Sequence, residues 1–430
     1  MKTRRIVLGV IADDFTGATD VASMLVRAGM RTIQVIGIPQ GAAPDADAVV
    51  VALKSRTIAP GQAVHQSLAA LQWLRAAGAR QHYFKYCSTF DSTPQGNIGP
   101  VTEALLAALD ANFTIACPAF PENGRTIFRG HLFVGDQLLS DSGMRDHPLT
   151  PMRDANLVCV LQAQMSGRVG LIRQDVVVRG EAAVRERMAA LRAEGVRAAV
   201  ADAITNEDLR VLARACAELP LLTAGSGLAL GLPDVYREHG WLAANNATGG
   251  DASQLDRMTG NAVVLSGSCS SATNAQVDTW RSAGRPAFEI DPRALSRGEP
   301  VVDRAVTWAR DRLDREPVLI YATANVDELM AVQAELGAEH AGALVEAGLA
   351  MIARRLIDCG VRRIVVAGGE TSGAVVQALR VQALRIGASI CPGVPWTQAE
   401  GRPLWLALKS GNFGGPNFFD DALRLSASAG

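Results

Sequence analysis

Short apolar runs that are typical of buried strands alternate with helix-like segments along almost the whole chain. Residues 49–53 and 82–86 are two such runs, and residues 63–77 between them have an amphipathic pattern. Strands separated by helices form parallel sheets that helices cover on both faces. Further strands are predicted at residues 6–12, 113–117, 198–201, 221–224, 262–265, 318–321, 364–367 and 404–408. The pattern therefore predicts an α/β fold.

A small, polar, unpatterned stretch at residues 243–253 has the composition of a linker. The sequence on each side is long enough to bury its own core. We predict a first domain at 1–242, a linker at 243–260 and a second domain at 261–430. Each domain is expected to be a mostly parallel sheet flanked by helices, with the active site in the cleft between them.

The overall charge and the cysteine pattern exclude several classes of function. The formal net charge is −1 and no long Lys/Arg run occurs, so a small molecule is favoured over nucleic acid. No apolar stretch reaches the roughly 18 residues of a membrane span. Seven cysteines without a Cys-x-x-Cys pair favour a cytoplasmic setting, and the six histidines lack zinc-ligand spacing.

A carboxylate pair, Asp13 and Asp14, ends the first apolar run and precedes Thr16-Gly17-Ala18. Ligands of open α/β sheets bind at the carboxyl ends of strands, where helix N–H groups can donate. One aspartate is sufficient to cap a helix, so the second favours chemistry over a simple turn. We predict a helix over residues 21–27. The alternative to catalysis is a purely structural role for Asp13 and Asp14.

Two polar clusters follow later strands at the same predicted sheet edge. One is Lys54-Ser55-Arg56-Thr57, and the other runs from Lys85 to Thr93. Each combines a cation with hydroxyl groups, as a small anionic polyol requires. Ion pairs at helix ends are the alternative for Arg56 and Lys85. A Gly-rich, hairpin-like segment contains Asn123-Gly124-Arg125 and His131. It is a second-ranked candidate for ligand binding, because Asn-Gly is a common turn signal that needs no function.

Three glycine-rich turns follow strands in the second half of the chain, at residues 266–268, 368–373 and 409–415. Glycines let the backbone approach an anion, and neighbouring hydroxyl and N–H groups can donate to it. None of the turns matches the Walker or dinucleotide pattern, and any single one is explained by a tight connection. Together they predict a nucleotide-phosphate cradle, in which Glu370 could hold a metal-bound water or a ribose hydroxyl.

An acidic and cationic pocket in one domain and a phosphate cradle in the other suit phosphoryl transfer. That reaction requires positioning, cations on the transferred group, Mg²⁺ on the phosphates and a carboxylate to accept the hydroxyl proton. We predict Asp13 or Asp14 as this base, and the sequence leaves open which of them acts.

Four segments resemble the four-carbon acid sugar kinase family: residues 11–20, 85–93, 367–373 and 406–414. The resemblance implies an N-terminal sugar-acid-binding domain and a C-terminal ATP-binding domain. It implies sugar-acid contacts at Asp14, Arg56, Lys85, Ser88, Asp91, Ser92 and Thr93. It implies ATP contacts at Ser266, Gly368, Gly369, Glu370, Thr371 and Gly411, to which the first glycine turn adds Ser268.

Thr93-Pro94-Gln95-Gly96 lacks the arginine that many threonate and erythronate kinases carry before this glycine. Its absence favours the 3-oxo branch of the family, whose activity is ATP-dependent phosphorylation of the 4-hydroxyl of a 3-oxo-tetronate (3-dehydro-erythronate). The alternatives are phosphorylation of D-threonate or D-erythronate and, more remotely, a non-catalytic sugar-acid sensor. The resemblance leaves a homodimer open.

Overall fold

The structure is a computed structural model that describes residues 6–147, 150–243 and 254–428. The chain divides into two compact units at residues 253 and 254. Most of the predicted linker, residues 244–253, lies outside the described residues. The predicted α/β fold with two domains is confirmed, whereas the predicted cleft between the domains stays a prediction.

The N-terminal domain contains one eight-stranded sheet in which every neighbouring pair is parallel, in the order β2-β3-β1-β4-β11-β5-β10-β9. Its strands are β1 (Leu8–Ala12), β2 (Thr32–Ile36), β3 (Ala48–Ala52), β4 (Gln81–Lys85), β5 (Thr114–Cys117), β9 (Arg168–Ile172), β10 (Val196–Ala201) and β11 (Leu221–Ala224). A small antiparallel sheet is formed by β6 (Arg125–Phe128), β7 (His131–Val134) and β8 (Gln137–Leu138). The predicted hairpin-like segment is therefore present.

All helices of this domain except α8, which follows the last strand, lie between its strands, as the alternation in the sequence predicts. They are α1 (Phe15–Arg27), α2 (Pro60–Ala76), α3 (Ile98–Ala108), α4 (Leu157–Gln162), α5 (Gln174–Val177), α6 (Glu181–Ala193), α7 (Asn206–Ala215) and α8 (Leu232–Glu238). Short 3₁₀ turns occur at Pro121–Asn123, Leu139–Asp141 and Gly227–Gly231. The start of α7 shows a full capping box, in which Thr205 and Asp208 satisfy each other's backbone N–H groups.

The C-terminal domain contains a seven-stranded mixed sheet in the order β13-β14-β12-β15-β18-β17-β16. The strands are β12 (Asn261–Ser266), β13 (Ala287–Glu289), β14 (Val318–Tyr321), β15 (Val361–Ala367), β16 (Ala383–Cys391), β17 (Val394–Ala399) and β18 (Trp405–Lys409). The helices are α9 (Ser271–Ser282), α10 (Pro292–Ser296), α11 (Val301–Leu313), α12 (Val326–Leu336), α13 (Ala338–Asp358), α14 (Gly369–Ala378) and α15 (Phe418–Ser428). Only the β16-β17 and β17-β18 pairs are antiparallel in this sheet.

Apolar strands and large aromatic side chains form the cores of the two domains. β1 and β3 are buried along their whole length, as parallel strands covered on both faces should be. Trp280, Trp396 and Trp405 are buried in the C-terminal core, where each contributes about 2–3 kcal/mol or more of transfer free energy. No helix in the described ranges is both long and apolar enough to cross a membrane.

Strand register brings the predicted motifs to common sheet edges. Ala12 pairs with Ala52 and with Lys85, so that the segments following β1, β3 and β4 begin side by side. Ala367 likewise pairs with Ser266 and with Lys409, which aligns the three glycine-rich turns. The expectation that each set of motifs shares one edge is confirmed.

The first helix begins earlier than the pattern indicated. We predicted it over residues 21–27, but α1 starts at Phe15 because Asp14, in extended conformation, caps it. Phe15 to Val26 are all buried, so α1 lies inside the domain. The prediction began late because Thr16, Gly17, Thr19 and Asp20 have low helix propensity.

Buried His82 on β4 gives this fold a pH-dependent stability. Burial lowers the pKa of His82 to about 4, whereas an unfolded histidine titrates near 6.5. The unfolded state therefore binds more protons as the pH falls from 6.5 to 4, and stability declines by up to about 1.4 kcal/mol per pH unit. We expect His82→Leu to flatten this decline in urea-unfolding curves. Equal slopes in wild type and His82→Leu would contradict the prediction.

Candidate active site

A two-point ion pair lies at the end of β1. Arg56 donates from Nε to Asp13 Oδ2 at 2.9 Å and from Nη2 to Asp13 Oδ1 at 2.8 Å. The backbone supports it, because the N–H groups of Ser55 and Arg56 donate to the carbonyl of Asp13. Asn97 adds support by donating its side-chain amide to the carbonyls of Ser55 and Arg56. Arg56 therefore forms an ion pair, as the alternative prediction stated, and its partners are Asp13 and Asp14.

Asp14 combines two functions at the same edge. Its Oδ1 accepts from the N–H of Gly17 at 2.9 Å and from Arg56 Nη2 at 2.7 Å, and its Oδ2 accepts from Thr16 Oγ1 at 2.8 Å. It therefore caps α1 and also extends the ion pair. Asp14 is partly accessible, whereas Asp13 is only 5% exposed. Of the two carboxylates, Asp14 is the one that a ligand can approach more directly.

Lys85 is a second cation close to the Asp14 carboxylate. Its side chain is buried, and Nζ donates to the carbonyl of Tyr86 at 2.8 Å. A Cβ atom added to Gly17 would lie 2.2 Å from Asp14 Oδ1 and 3.0 Å from Lys85 Nζ. Only glycine fits here, because the carboxylate and the ammonium both crowd the first turn of α1.

The segment after β4 contributes a third carboxylate. Asp91 Oδ2 lies 3.7 Å from Arg56 Nη1, and Asp91 Oδ1 accepts from Thr89 Oγ1 at 2.5 Å. Ser88 is buried at the start of this segment. Ser92 and Thr93 instead contact Gln164, which donates its side-chain amide to Ser92 Oγ and to the carbonyl of Thr93. The structure therefore brings Asp91 to the aspartate pair and ties Ser92 and Thr93 to Gln164.

The charges in this cluster shift the pKa values of the two aspartates in opposite directions. Burial raises the pKa of Asp13, and Arg56 only partly opposes the rise. Burial also disfavours ionised Asp14, but Arg56 and Lys85 outweigh it and hold the pKa of Asp14 below its ordinary value. The pKa of Arg56 is well above its ordinary value, since the attraction of both carboxylates exceeds the effect of burial. Arg56 and Asp14 are charged at neutral pH.

Two titratable residues near this cluster were not among our leading predictions. Asp20 accepts from the Ser226 hydroxyl, and burial raises its pKa to about 6. Arg125, which ranked second, is half-buried, and the charges of Asp91 and Asp20 act on it. Asp20 belongs to the motif at residues 11–20, three residues after Gly17 and six after Asp14. This helical spacing was the signal that could have identified it.

The first two glycine turns of the C-terminal domain contact each other. The N–H groups of Gly267 and Ser268 donate to the carbonyl of Ala367, and a Cβ on Gly267 would lie 2.3 Å from Thr371 Oγ1. Gly368 has a φ of 124°, which strains any residue with a side chain. Gly369 begins α14, so the turn presents helix N–H groups at its N-terminus.

These turns form one end of a cavity of about 460 Å³ inside the C-terminal domain. Its lining includes predicted residues, namely Ser268, Gly368, Gly369, Glu370 and Thr371. The remaining wall has apolar side chains from the region after β13 and from α12 and α13, such as Ile290, Leu329, Val332 and Val345. A lining that combines glycine-rich turns with apolar side chains suits the phosphates and the base of a nucleotide.

Two predicted ATP contacts lie next to this lining. Ser266 is fully buried, and its hydroxyl is hydrogen-bonded to that of Thr323, which does line the cavity. Gly411 adjoins Ser268, because a Cβ on Gly411 would lie 2.5 Å from Ser268 Oγ. Sequence reasoning missed the residues at 289–293 and 322–324, although they too follow strands. The α12 and α13 residues had no comparable signal.

Carboxylates also line this cavity, among them Glu289, Glu328 and Glu370. In the described part of the chain, no three His, Cys, Asp or Glu side chains are grouped as ligands of a metal ion. One carboxylate beside a phosphate site suits Mg²⁺, which binds proteins through one or two carboxylates together with substrate phosphates. The donor set therefore fits a cation that arrives with the nucleotide.

Comparisons with known protein families agree with this division. Residues 8–232 match a sugar-binding N-terminal domain, and residues 263–419 match a nucleotide-binding C-terminal domain. The chain is 65% identical to a 3-oxo-tetronate kinase of Cupriavidus necator, over 98% of this chain and 97% of that protein. The chain belongs to the four-carbon acid sugar kinase family. Proteins named 3-oxo-tetronate kinase from Burkholderia multivorans and Pseudomonas fluorescens are 64% and 63% identical over 98% and 97% of this chain, and 97% of each relative.

Solved structures are similar over the same length. A Salmonella typhimurium LT2 protein, solved under the provisional name of a tRNA synthase, is 45% identical, with a TM-score of 0.83 over 97% of this chain and 99% of that one. Haemophilus influenzae protein HI1011 is 46% identical, with a TM-score of 0.74 over 97% of this chain and 100% of that one. The similarity of this chain to both proteins therefore includes the backbone fold as well as the sequence.

Proposed function

We propose that this chain is an ATP-dependent kinase that transfers a phosphoryl group to the 4-hydroxyl of a 3-oxo-tetronate, giving ADP and 3-oxo-tetronate 4-phosphate. The observation that carries the proposal is the identity of 61–65% to four proteins named 3-oxo-tetronate kinase, over nearly the whole chain. The site chemistry supports it, because the N-terminal domain offers cations and carboxylates and the C-terminal domain offers a glycine-lined cavity.

In the N-terminal domain, Arg56 and Lys85 would bind the carboxylate of the sugar acid. Arg56 Nη1 lies 3.7 Å from Asp91, beyond hydrogen-bond length, so its N–H groups can serve a ligand while Nε and Nη2 hold Asp13. Lys85 supplies a second, compact charge at the adjacent strand end. Ser88, Asp91, Ser92 and Thr93 stay predicted contacts for the hydroxyl and carbonyl groups.

Asp14 is the carboxylate that we assign as base for the 4-hydroxyl. Asp13 is engaged at both oxygens by Arg56 and acts as a positioning residue. Asp14 is more accessible, and it is ionised at neutral pH because Arg56 and Lys85 lower its pKa. A weak base is sufficient in a loose phosphoryl-transfer transition state, where orienting the hydroxyl matters most and the proton leaves late.

In the C-terminal domain, the glycine turns would bind the phosphates of ATP, through Ser268, Gly368 to Thr371 and Gly411, with Ser266 behind them. Mg²⁺ carried by the nucleotide would neutralise phosphate charge, and Glu370 is the carboxylate that we assign to its hydration shell. The apolar wall at Ile290, Leu329 and Val332 would hold the base. A cytoplasmic location and a homodimer stay predictions.

Substrate choice is tested by measuring ADP release with 3-oxo-tetronate, D-threonate and D-erythronate. A site whose polar groups match the 3-oxo acid should reject the others by several powers of ten in kcat/KM, because mismatched buried polar groups remain unpaired. Equal or higher kcat/KM for threonate or erythronate would assign the chain to the other branch. Tight binding of all three acids without ADP release would favour a sensor.

A further inference from the structure

Lys409, at the end of β18, is a buried cation among uncharged partners. Its side chain has no exposed surface, and Nζ donates to Thr273 Oγ1 at 3.0 Å and to the carbonyls of Ser410 and Gly411 at 2.9 and 2.8 Å. Burying an ammonium without a compensating negative charge is costly. We therefore expect the buried charge of Lys409 to have a function.

Lysine itself is rare in this chain, which has 38 arginines and only four lysines, at positions 2, 54, 85 and 409. Lys54 is exposed, whereas Lys85 and Lys409 are buried at the carboxyl ends of parallel strands. Both buried lysines therefore lie beside the two candidate ligand sites. Their compact ammonium groups fit spaces that a guanidinium would overfill.

Lys409 helps to hold the turn at residues 410–415 in one shape. The carbonyl of Gly411 also accepts from Ser270 Oγ at 2.7 Å and from Thr273 Oγ1 at 2.9 Å. Gln276 Nε2 donates, at 3.1 Å each, to the carbonyls of Phe413, Gly414 and Gly415. Five backbone carbonyls of this turn thus point toward side-chain donors in the interior.

The direction of these carbonyls fixes that of the N–H groups. All peptide bonds of the described residues are trans, and in a trans peptide the C=O and the following N–H point in opposite directions. The N–H groups of Gly411 and Asn412 therefore point away from Lys409, and those of Gly414 and Gly415 point away from Gln276. Gly411 adjoins Ser268 of the cavity lining, and the carbonyl of Lys409 accepts from the N–H of Gly368.

We propose that Lys409 is a positioning residue for nucleotide binding, which holds the carbonyls of Ser410 and Gly411 so that the N–H groups of the 410–415 turn serve the phosphates, and which places a positive charge next to that turn. It acts through the turn and not by contact with the nucleotide. This inference rests on the proposed ATP-dependent kinase function and deepens it.

The protonation of Lys409 provides a readout that a purely structural role would lack. Burial lowers the pKa of Lys409 to about 7, and the nearby Cys391 thiol partly opposes this shift. The groups that face it from α9 and α15 are the neutral Thr273 and the ring of Phe418. Bound phosphate stabilises the charged form, so its affinity should fall as the pH rises through about 7.

The test is calorimetric titration of ADP into wild-type protein and Lys409→Met between pH 6 and 9. We expect Lys409→Met to weaken ADP binding at pH 6 by roughly tenfold or more, the size of a lost charge-assisted interaction. The difference should shrink as the pH approaches 9, and the ratio of the two profiles cancels the titration of ADP itself. Equal affinities at pH 6, or a ratio that is constant with pH, would overturn the proposal.

Two further measurements keep the result interpretable. Gln276→Met retains the ammonium and loosens the turn, so it should weaken ADP binding and keep the wild-type pH profile; unchanged affinity would contradict the role of the turn. If Lys409→Met does not fold, ¹³C-lysine NMR of the wild-type protein serves instead, because four lysines are readily resolved. ADP should raise the pKa of the buried Lys409 signal, and an unmoved pKa would refute the proposal.

These outcomes are separate from those of the proposed function. Wild-type protein that neither binds ADP nor phosphorylates a four-carbon acid would refute the kinase proposal itself. Wild-type protein that does both, together with a Lys409→Met variant of unchanged ADP affinity, would refute only the role of Lys409. Sugar-acid affinity, which should be the same in wild type and variants, reports that the N-terminal domain is intact.

Discussion

Asp14→Asn is expected to lower kcat for the 3-oxo acid by about 10²–10⁴-fold, the usual contribution of a general base, and to leave the KM for ATP nearly unchanged. Asparagine caps a helix as well as aspartate does, so the contacts with Gly17 and Thr16 can persist. The change removes the negative charge beside Arg56 and the acceptor for the hydroxyl proton. Initial rates of ADP release at saturating ATP measure the effect.

Two control variants separate this role from its neighbours. Asp13→Asn breaks a two-point pair with Arg56 and should raise the KM for the sugar acid as well as lower kcat. Asp136→Asn, in an exposed turn of the same domain, should match wild type. An Asp14→Asn enzyme with kcat within fivefold of wild type would show that another group orients the hydroxyl.

Gly368→Ala is expected to raise the KM for ATP by roughly 10–100-fold. At a φ of 124° an alanine is strained by about 1–3 kcal/mol, and its Cβ would lie 3.0 Å from Thr371 Oγ1 and 3.3 Å from the N atom of Ser268. The turn relieves that strain by moving, which displaces the N–H groups that we assign to the phosphates. Steady-state kinetics with varied ATP measure the change, and calorimetry with the sugar acid should show none.

Gly360→Ala supplies the matched control in the same domain. Gly360 also has a positive φ, of 86°, between α13 and β15, but its Cβ would meet only Asn261 Nδ2, at 3.8 Å. This variant should lose comparable stability and retain the wild-type KM for ATP. If both glycine variants raise the KM equally, the effect is general destabilisation, and the assignment of Gly368 to the phosphate site is wrong.

Secondary structure was predictable where strands are short, apolar and bounded by polar motifs. The strands at residues 221–224 and 318–321 have the predicted limits, and the other eight predicted strands differ by one to three residues at an end. The predicted start of α1 was wrong because residues 16–20 include glycine, threonine and aspartate, which have low helix propensity. The Asp14 cap and the burial of this turn outweigh that low propensity.

The site was predictable only in part, and for a definable reason. Motifs such as Asp13-Asp14 and Gly368-Gly369 are contiguous, and parallel strands deliver them to one sheet edge. Partners that arrive from distant elements leave no local trace: Gln164 reaches Ser92 across 72 residues of sequence, and Gln276 reaches the 413–415 carbonyls across more than 130. Arg125 was demoted because its Asn-Gly neighbours read as a turn.

The sequence by itself determined the alternation of strands and helices, the carboxylate pair and the glycine turns, because each is a local pattern of residue types. Only the tertiary structure decided that Arg56 holds Asp13 and leaves Asp14 the more accessible of the two, and that Lys409 lies buried against the turn at residues 410–415. Which carboxylate oxygen a cationic side chain contacts, and how far each charged group is exposed to water, depend on strand register and on packing between residues far apart in the chain.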